Sequence, residues 1–345
     1  MTIFSSTAGS WGQMTTKQPL AGIKPFATRQ VITTGYVAGG YQNSVAWQNV
    51  NSFDFASETT TGRGNLLTHA GGYITGAMSK TYSYTIGSSG TGSAGMAASN
   101  GVNKWNHKTY AMVTTQTMPV NVSDPESITK YGLLDGGGTT AYVNGTLASG
   151  TSVQKLDMTS DTWSNSFTTG LGQGGSGASC HWHENSGVWW NDDTATTAST
   201  GQRRMYFATE TEDNPNISMS SYGNQKGLSA KTGFGYAGNE GSYNGGYSFR
   251  KYQHVTNTTS VPAANNKPVQ NSGEENYFTG QNKGGTLGSY TGSGQVLDSG
   301  LYTYATDTGA LLPSGQWYRG TQSGTGSSAG SAIAGASSGC GTWSD

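Results

Sequence analysis

Apolar residues in this chain fall on alternate positions in short runs, and each run ends in a small polar turn. In "FDFASETTTG", residues 53–62, Phe53 and Phe55 alternate with Asp54 and Ala56 before Ser57-Glu58-Thr59. A period of two puts Phe53 and Phe55 on one face of a strand. The closing tripeptide, Ser/Thr then Asp/Glu/Asn/Gln then Thr, occurs six times. The others are Thr115-Gln116-Thr117, Ser160-Asp161-Thr162, Thr209-Glu210-Thr211, Thr256-Asn257-Thr258 and Thr306-Asp307-Thr308. Their final threonines are 58, 45, 49, 47 and 50 residues apart, a period near 50.

The residues upstream repeat with them. Four positions before the last Thr stand Phe55, Val113, Met158, Phe207, His254 and Tyr304; six before it stand Phe53, Ala111, Leu156, Met205, Tyr252 and Tyr302. Only His254 breaks the apolar column. Each copy is expected to be a strand with a buried face, closed by a turn whose hydroxyl and carboxamide groups satisfy loop backbone. A second strand precedes most copies and runs into Gly or Asn. These are "GYVAGGY" (35–41), "YSYTIGSSG" (82–90), "TTAYVNGT" (139–146), "SGVWWNDD" (186–193), "TGFGYAGN" (232–239) and "ENYFTGQN" (275–282).

Composition decides between this order and disorder. The chain has 345 residues with 54 Gly, and 11% of residues are charged, which alone suits a disordered polymer. It also has 19 Tyr, 9 Trp and 9 Phe and a net charge of −1, and disordered chains are poor in aromatics and rich in net charge. Tyr, Trp, Thr and Val favour pleated half-buried surfaces, and Gly, Asn and Ser favour turns, so the expected class is all-β.

The paired pattern of a strand into Gly-Gly and a strand into the Thr turn, as in "YVAGGY…VNSFDFASETT" and "AYVNGT…VQKLDMTSDTW", resembles the kelch repeat. Kelch units of about 50 residues form propeller blades. The resemblance implies a six-bladed kelch-like β-propeller over residues 31–315, with an N-terminal extension over 1–30. It is followed by a Gly/Ser/Ala-rich C-terminal tail over 316–345. A β-solenoid or fibre-like stack is the competing all-β arrangement.

Charge and motif searches exclude more than they support. The 18 Lys and Arg never run longer than "RR" at 203–204, so no phosphate-tracking stripe exists and nucleic acid is not an expected partner. No apolar run approaches the ~20 residues of a membrane span, and no basic-then-apolar leader opens the chain. Cys180 and Cys340 are too few for a disulfide framework and read as incidental or buried thiols. "CHWHENSGVWWNDD" (180–193) concentrates ligand types, since His181 and His183 would share a strand face. No partner cluster stands elsewhere, so no metal, cofactor or catalytic residue is assigned, and a kelch-type copper enzyme is the weaker reading. The four sequons at Asn121, Asn144, Asn216 and Asn257 carry no weight in so Asn- and Thr-rich a chain. The candidate binding residues are aromatics expected in loops, Trp47, Trp182, Trp189 and Trp190, which suit sugar stacking or a protein partner.

The segment "GYVAGGYQNSVAWQNVNSFDFASETTT" (35–61) is similar to kelch-like structural proteins of tailed phages, especially T4-like phages of marine cyanobacteria. That resemblance implies a non-enzymatic virion protein on the tail, neck, baseplate or capsid exterior, assembled in host cytoplasm. Its partners would be other virion structural proteins. The alternative is a carbohydrate-binding adhesin that reads a host-surface glycan through the tryptophans above.

Overall fold

A computed structural model describes residues 34–38, 41–42, 45–46, 48–68, 75–79, 81–88, 99–117, 131–134, 139–147, 150–168, 179–183, 185–190, 202–214, 226–230, 233–238, 249–260, 277–279, 282–291, 294–312 and 340–341. The chain divides into two compact units, Met1–Gln30 with Asp345, and Val31–Ser344. All the described residues lie in the second.

Every regular element described there is a strand, as the alternation requires, and the strands form six small antiparallel sheets. Sheet 1 holds β1 (Thr34–Ala38), β4 (Asn49–Asp54) and β5 (Thr59–Asn65), with a short ribbon of β2 (Tyr41–Gln42) and β3 (Val45–Ala46) between its first two. Sheet 2 holds β6 (Thr75–Met78), β7 (Tyr82–Ser88), β8 (Ser99–Asn106) and β9 (Met112–Thr117). Sheet 3 holds β10 (Tyr131–Leu134), β11 (Thr140–Leu147), β12 (Gly150–Asp157) and β13 (Thr162–Thr168). Sheet 4 holds β14 (Ser179–His183), β15 (Ser186–Trp190), β16 (Gln202–Tyr206) and β17 (Thr211–Asp213). Sheet 5 holds β18 (Lys226–Ala230), β19 (Phe234–Gly238), β20 (Phe249–Gln253) and β21 (Thr258–Ser260). Sheet 6 holds β22 (Tyr277–Thr279), β23 (Lys283–Thr291), β24 (Gly294–Thr303) and β25 (Thr308–Leu311), and β26 (Cys340–Gly341) adds to it in parallel along β22.

Each four-stranded sheet is an up-and-down meander, and successive sheets pack face against face in a propeller-like arrangement. A single such sheet has two apolar faces and no core of its own, so it is stable only against neighbours. Tyr36, Ala38 and Val50 of sheet 1 meet Met78 and Trp105 of sheet 2. Tyr84 and Val102 of sheet 2 continue through Val143 and Leu156 of sheet 3 to Trp189 and Met205 of sheet 4. Tyr236 and Phe249 of sheet 5 meet Tyr302 and Tyr304 of sheet 6. Leu301 and Leu312 of sheet 6 pack with Val37 and Phe53 of sheet 1.

The repeated turn joins the third strand of each sheet to the fourth, and its middle residue lies in the left-handed region. The residues with positive φ other than glycine are Glu58, Tyr110, Asp161, Glu210, Asn257 and Asp307, with φ between 49° and 58°. Five of these are the middle residue of a tripeptide found in the sequence. The sixth corrects the register of the second copy. Thr115-Gln116-Thr117 lies within β9, and the true turn is Thr109-Tyr110-Ala111, disguised because Tyr replaces the acid and Ala the second hydroxyl. With that change the spacings become 52, 51, 49, 47 and 50, tighter than those of the sequence pattern.

The core columns shift with it. The fully buried column is Phe53, Trp105, Leu156, Met205, Tyr252 and Tyr302, each at most 1% exposed, whereas Ala111 is exposed and Val113 is 44% exposed. The companion column is Phe55, His107, Met158, Phe207, His254 and Tyr304, with two histidines rather than one. Sheet 6 brings a second correction. "ENYFTGQN" supplies β22, the first strand, and the second strand is β23, where Gly285 stands in the place that tyrosine holds in four of the sheets.

The register at the second turn is directly testable by unfolding in urea. Trp105→Ala is expected to lower stability by about 3–5 kcal/mol, as for a buried aromatic, while Val113→Ala changes it by less than about 0.5 kcal/mol. Equal effects from the two would contradict the corrected alignment.

Candidate functional site at the joints between sheets

The turn is self-contained in its backbone and outward-reaching in its charge. In sheets 1 to 3 the residue that ends the strand before the turn satisfies the turn amides. Asp54 Oδ1 accepts from the Ala56 and Ser57 amides at 3.0 and 2.7 Å, Asn106 Oδ1 from Lys108 and Thr109 at 2.9 and 3.1 Å, and Asp157 Oδ1 from Thr159 and Ser160 at 2.8 and 3.2 Å. The two hydroxyls that flank the left-handed residue bond each other. Ser57–Thr59, Ser160–Thr162, Thr209–Thr211, Thr256–Thr258 and Thr306–Thr308 all close at 2.7–2.8 Å. The expectation that the middle acid or amide serves its own loop is therefore corrected. In four turns the carboxylate of Glu58, Asp161, Glu210 or Asp307 reaches the preceding sheet, whereas Asn257 Oδ1 accepts from Tyr252 Oη of its own sheet at 2.8 Å.

At three of these joints the carboxylate meets a tyrosine and a cation placed side by side. The antiparallel register sets Tyr84 opposite Lys104, Tyr142 opposite Lys155 and Tyr236 opposite Lys251, each pair on one face of its sheet. Tyr84 Oη donates to Asp161 Oδ1 at 3.0 Å, Tyr142 Oη to Glu210 Oε1 at 3.2 Å and Tyr236 Oη to Asp307 Oδ1 at 2.9 Å. Lys104 and Lys155 donate to the same two carboxylates, and Lys251 Nζ reaches Asp307 Oδ2 at 2.9 Å. Each lysine also lies against a ring, Lys104 4.1 Å from the Tyr82 centroid and Lys251 4.2 Å from that of Phe234, so its stem and charge are both covered. Burial raises the Tyr84 and Tyr236 phenols well above their ordinary range, and the adjoining carboxylates add to the effect. They remain donors at any ordinary pH.

The tyrosine ring makes a second contact, onto the residue that opens the next sheet's turn. Tyr142 stacks on Phe207 at 5.6 Å and 9°, Tyr236 on Tyr304 at 5.3 Å and 12°, and Tyr36 lies 5.9 Å from the His107 ring. His107 meets that tyrosine as a ring, whereas His254, with Val188 in the tyrosine's place, lies edge-on to Tyr252 of its own sheet at 4.9 Å.

Three joints depart from the pattern, each with a visible substitute. Between sheets 1 and 2 the turn residue is Tyr110, so the Arg63 guanidinium sits 4.2 Å over its ring and Tyr36 Oη donates to the His107 carbonyl at 2.9 Å. Between sheets 6 and 1, Gly285 and Leu301 replace the tyrosine and cation; Leu301 joins the apolar contact, and Lys283 pairs with Glu58 instead. Between sheets 4 and 5 the column holds Val188 and Arg204 and the turn holds Asn257. Arg204 binds Asp213 of its own sheet through Nε at 3.0 Å, while Ser186 Oγ and His254 Nδ1 meet across the joint at 3.3 Å.

Of the tryptophans chosen from sequence, Trp189 lies on β15 and is 0% exposed within the core shared by sheets 3 and 4. This corrects its reading as a loop aromatic, because an enclosed ring offers no face to a sugar. Trp182 and Trp190 lie on β14 and β15, and their side chains fall outside the described residues, as does Trp47 altogether. The side chains of Cys180, His181 and His183 on β14 are likewise outside them. Among the described residues no group of three His, Cys, Asp or Glu is placed to hold a metal. The lysines of the joints were not singled out in the sequence. Their signal was present: Lys104, Lys155 and Lys251 each precede their carboxylate by 57, 55 and 56 residues.

No family model and no curated protein matches this chain. Among solved structures, one described as "Structure of YjhT" superposes with a TM-score of 0.58 at 12% identity, covering 82% of this chain and 97% of its own. At that identity the likeness concerns the fold.

A double-mutant cycle of Asp161→Asn with Lys104→Met should show coupling of about 1–3 kcal/mol, since the Lys104 side chain is only 6% exposed. The cycle of Glu58→Gln with Lys283→Met, at 43% and 34% exposed, should show about 0–1 kcal/mol. Acid titration tests the amide cap. Hydrogen bonds from the Thr159 hydroxyl and amide, and from Ser160, hold the Asp157 carboxyl at about 2. Its unfolded value is near 3.9, so its contribution is complete above about pH 4 and disappears as pH falls through about 2. Asp157→Asn, which copies Asn106, should lose less stability between pH 5 and pH 2 than the parent does, as read from urea midpoints.

Proposed function

We propose that this chain is a closed, six-bladed kelch-like propeller acting as a non-enzymatic structural subunit of a tailed phage particle, where it docks on neighbouring virion proteins. The observation that supports this reading is where its charges go. Among the described residues, six acidic and six basic side chains are paired with one another, and four of the six pairs run from one sheet to the next. The turn tips keep Ala56, Lys108, Thr159, Ala208, Val255 and Ala305 exposed, five of the six uncharged and beside hydroxyls that already bond each other. Such a rim carries little charge and few unmet hydrogen bonds, so covering it against another subunit costs little desolvation.

A rigid body whose polar chemistry serves its own joints suits a building part, and the likeness of residues 35–61 to phage kelch-like proteins supplies the particle. The site on the particle would be tail, neck, baseplate or capsid exterior, with assembly in host cytoplasm.

Gradient-purified virions analysed by quantitative mass spectrometry test this. The expected outcome is this chain at a fixed ratio to the major capsid protein, unchanged by a high-salt wash. Its absence from washed particles, with the protein recovered free in the lysate, would sink the proposal.

A further inference from the structure

We propose that the joint between sheets 4 and 5 is a metal site, in which His181, His183 and His254 take a borderline divalent cation such as zinc. These are three of the chain's five histidines. The sequence alone offers His181 and His183 as a His-x-His pair, two ligands without a third. The fold brings the third from 71 residues further along the chain.

Backbone register places the pair. On β14, His183 stands opposite Ser186 and His181 opposite Val188. Opposed positions of an antiparallel pair share a face, with Cβ atoms about 5 Å apart, and alternate positions of one strand share it too. That face is the one turned to sheet 5, because Ser186 Oγ lies 3.3 Å from His254 Nδ1 across the joint. Positions 181, 183 and 254 therefore border one space between the sheets. β14 itself lies against β18 and β19 of sheet 5. Cys180 is excluded by the same alternation, since it stands opposite Trp189, on the face turned to sheet 3.

The chemistry of the joint suits a cation. A His-x-His pair with a third histidine from a neighbouring element is a three-imidazole set, which leaves a fourth tetrahedral position for water. Imidazole favours zinc and its first-row neighbours over calcium or magnesium. Ser186 and His254 are buried, at 7% and 6% exposed. With Nδ1–H donating to Ser186 Oγ, Nε2 carries the lone pair that a metal takes, and the hydroxyl fixes ring and tautomer as an outer-shell partner does. Arg204, the nearby cation, is bidentate to Asp213 of its own sheet, which offsets its charge.

A metal would also supply what this joint lacks. Four of the other joints are crossed by an ion pair and the fifth by Arg63 over the Tyr110 ring. Among the described residues no ion pair crosses between sheets 4 and 5. The site concerns one chain and stands whether or not that chain belongs to a particle.

The tag-free full chain, stripped with a chelator, is titrated with zinc by calorimetry and then assayed for bound metal. About one equivalent is expected, and X-ray absorption at the zinc edge should count three imidazoles. With free zinc at about 100 times its Kd, the unfolding constant in urea should fall about 100-fold. His183→Gln and His254→Gln should each weaken binding by at least about tenfold, the loss that even an outer-shell change such as Ser186→Ala brings. His107→Gln, at the joint of sheets 1 and 2, should leave it unchanged. The imidazole count needs no variant, so it decides the case even where His254→Gln folds poorly. Less than one equivalent, two imidazoles at the edge, or zinc affinity unchanged in folded His254→Gln would each overturn the proposal.

Discussion

A carboxylate held in a left-handed turn and aimed out of it governs how these sheets meet. A side chain at φ near 55° costs about 1 kcal/mol for any residue but glycine, and more for Glu or Tyr than for Asn or Asp. In five of the six such residues the side chain reaches a group of the preceding sheet, and in the sixth, Asn257, it accepts from Tyr252 of its own sheet. Local amides are taken by the residue that ends the strand, and the flanking hydroxyls take each other. At three of the joints what remains is a carboxylate met by a tyrosine and a lysine of the neighbouring sheet. The strain of the turn and the stability of the joint are thus two aspects of one arrangement.

The exceptions follow from the same constraint. An aromatic turn residue meets a guanidinium over its face, because an electron-rich ring is the neutral substitute for a carboxylate. A neutral Asn257 goes with a cation that is already bidentate to an acid in its own sheet. Where the tyrosine and cation columns are lost to Gly285 and Leu301, an apolar contact and a lysine two residues earlier take over. At four joints a cation and a carboxylate pair across sheets, so mutations in these columns should be read in pairs.

This use of charge bears on what the molecule offers a partner. Among the described residues six ion pairs form, four of them between sheets, and the turn tips carry mostly small side chains and mutually bonded hydroxyls. Such a surface has little long-range field to steer a ligand and little penalty for being covered.

The period-two alternation, the period near 50 and the turn chemistry were legible in the chain because each depends on neighbours within a few residues. Strand faces, the number of sheets and five of six turns follow from them. The sixth turn was misplaced because Tyr110 performs the acid's role through its ring, and only the partner, Arg63 of another sheet, makes it recognisable. The lysine column was equally hidden: a lysine two residues before a strand's end is ordinary until the carboxylate some 56 residues later is set beside it. Trp189 looked like a loop aromatic next to Asn and Asp, yet packing between sheets 3 and 4 encloses it. Local periodicity declares which residues point the same way. Which of them meet, and so whether a charge is solvent-facing or a clasp, depends on sheets brought together across long stretches of chain, and that lies in the packing alone.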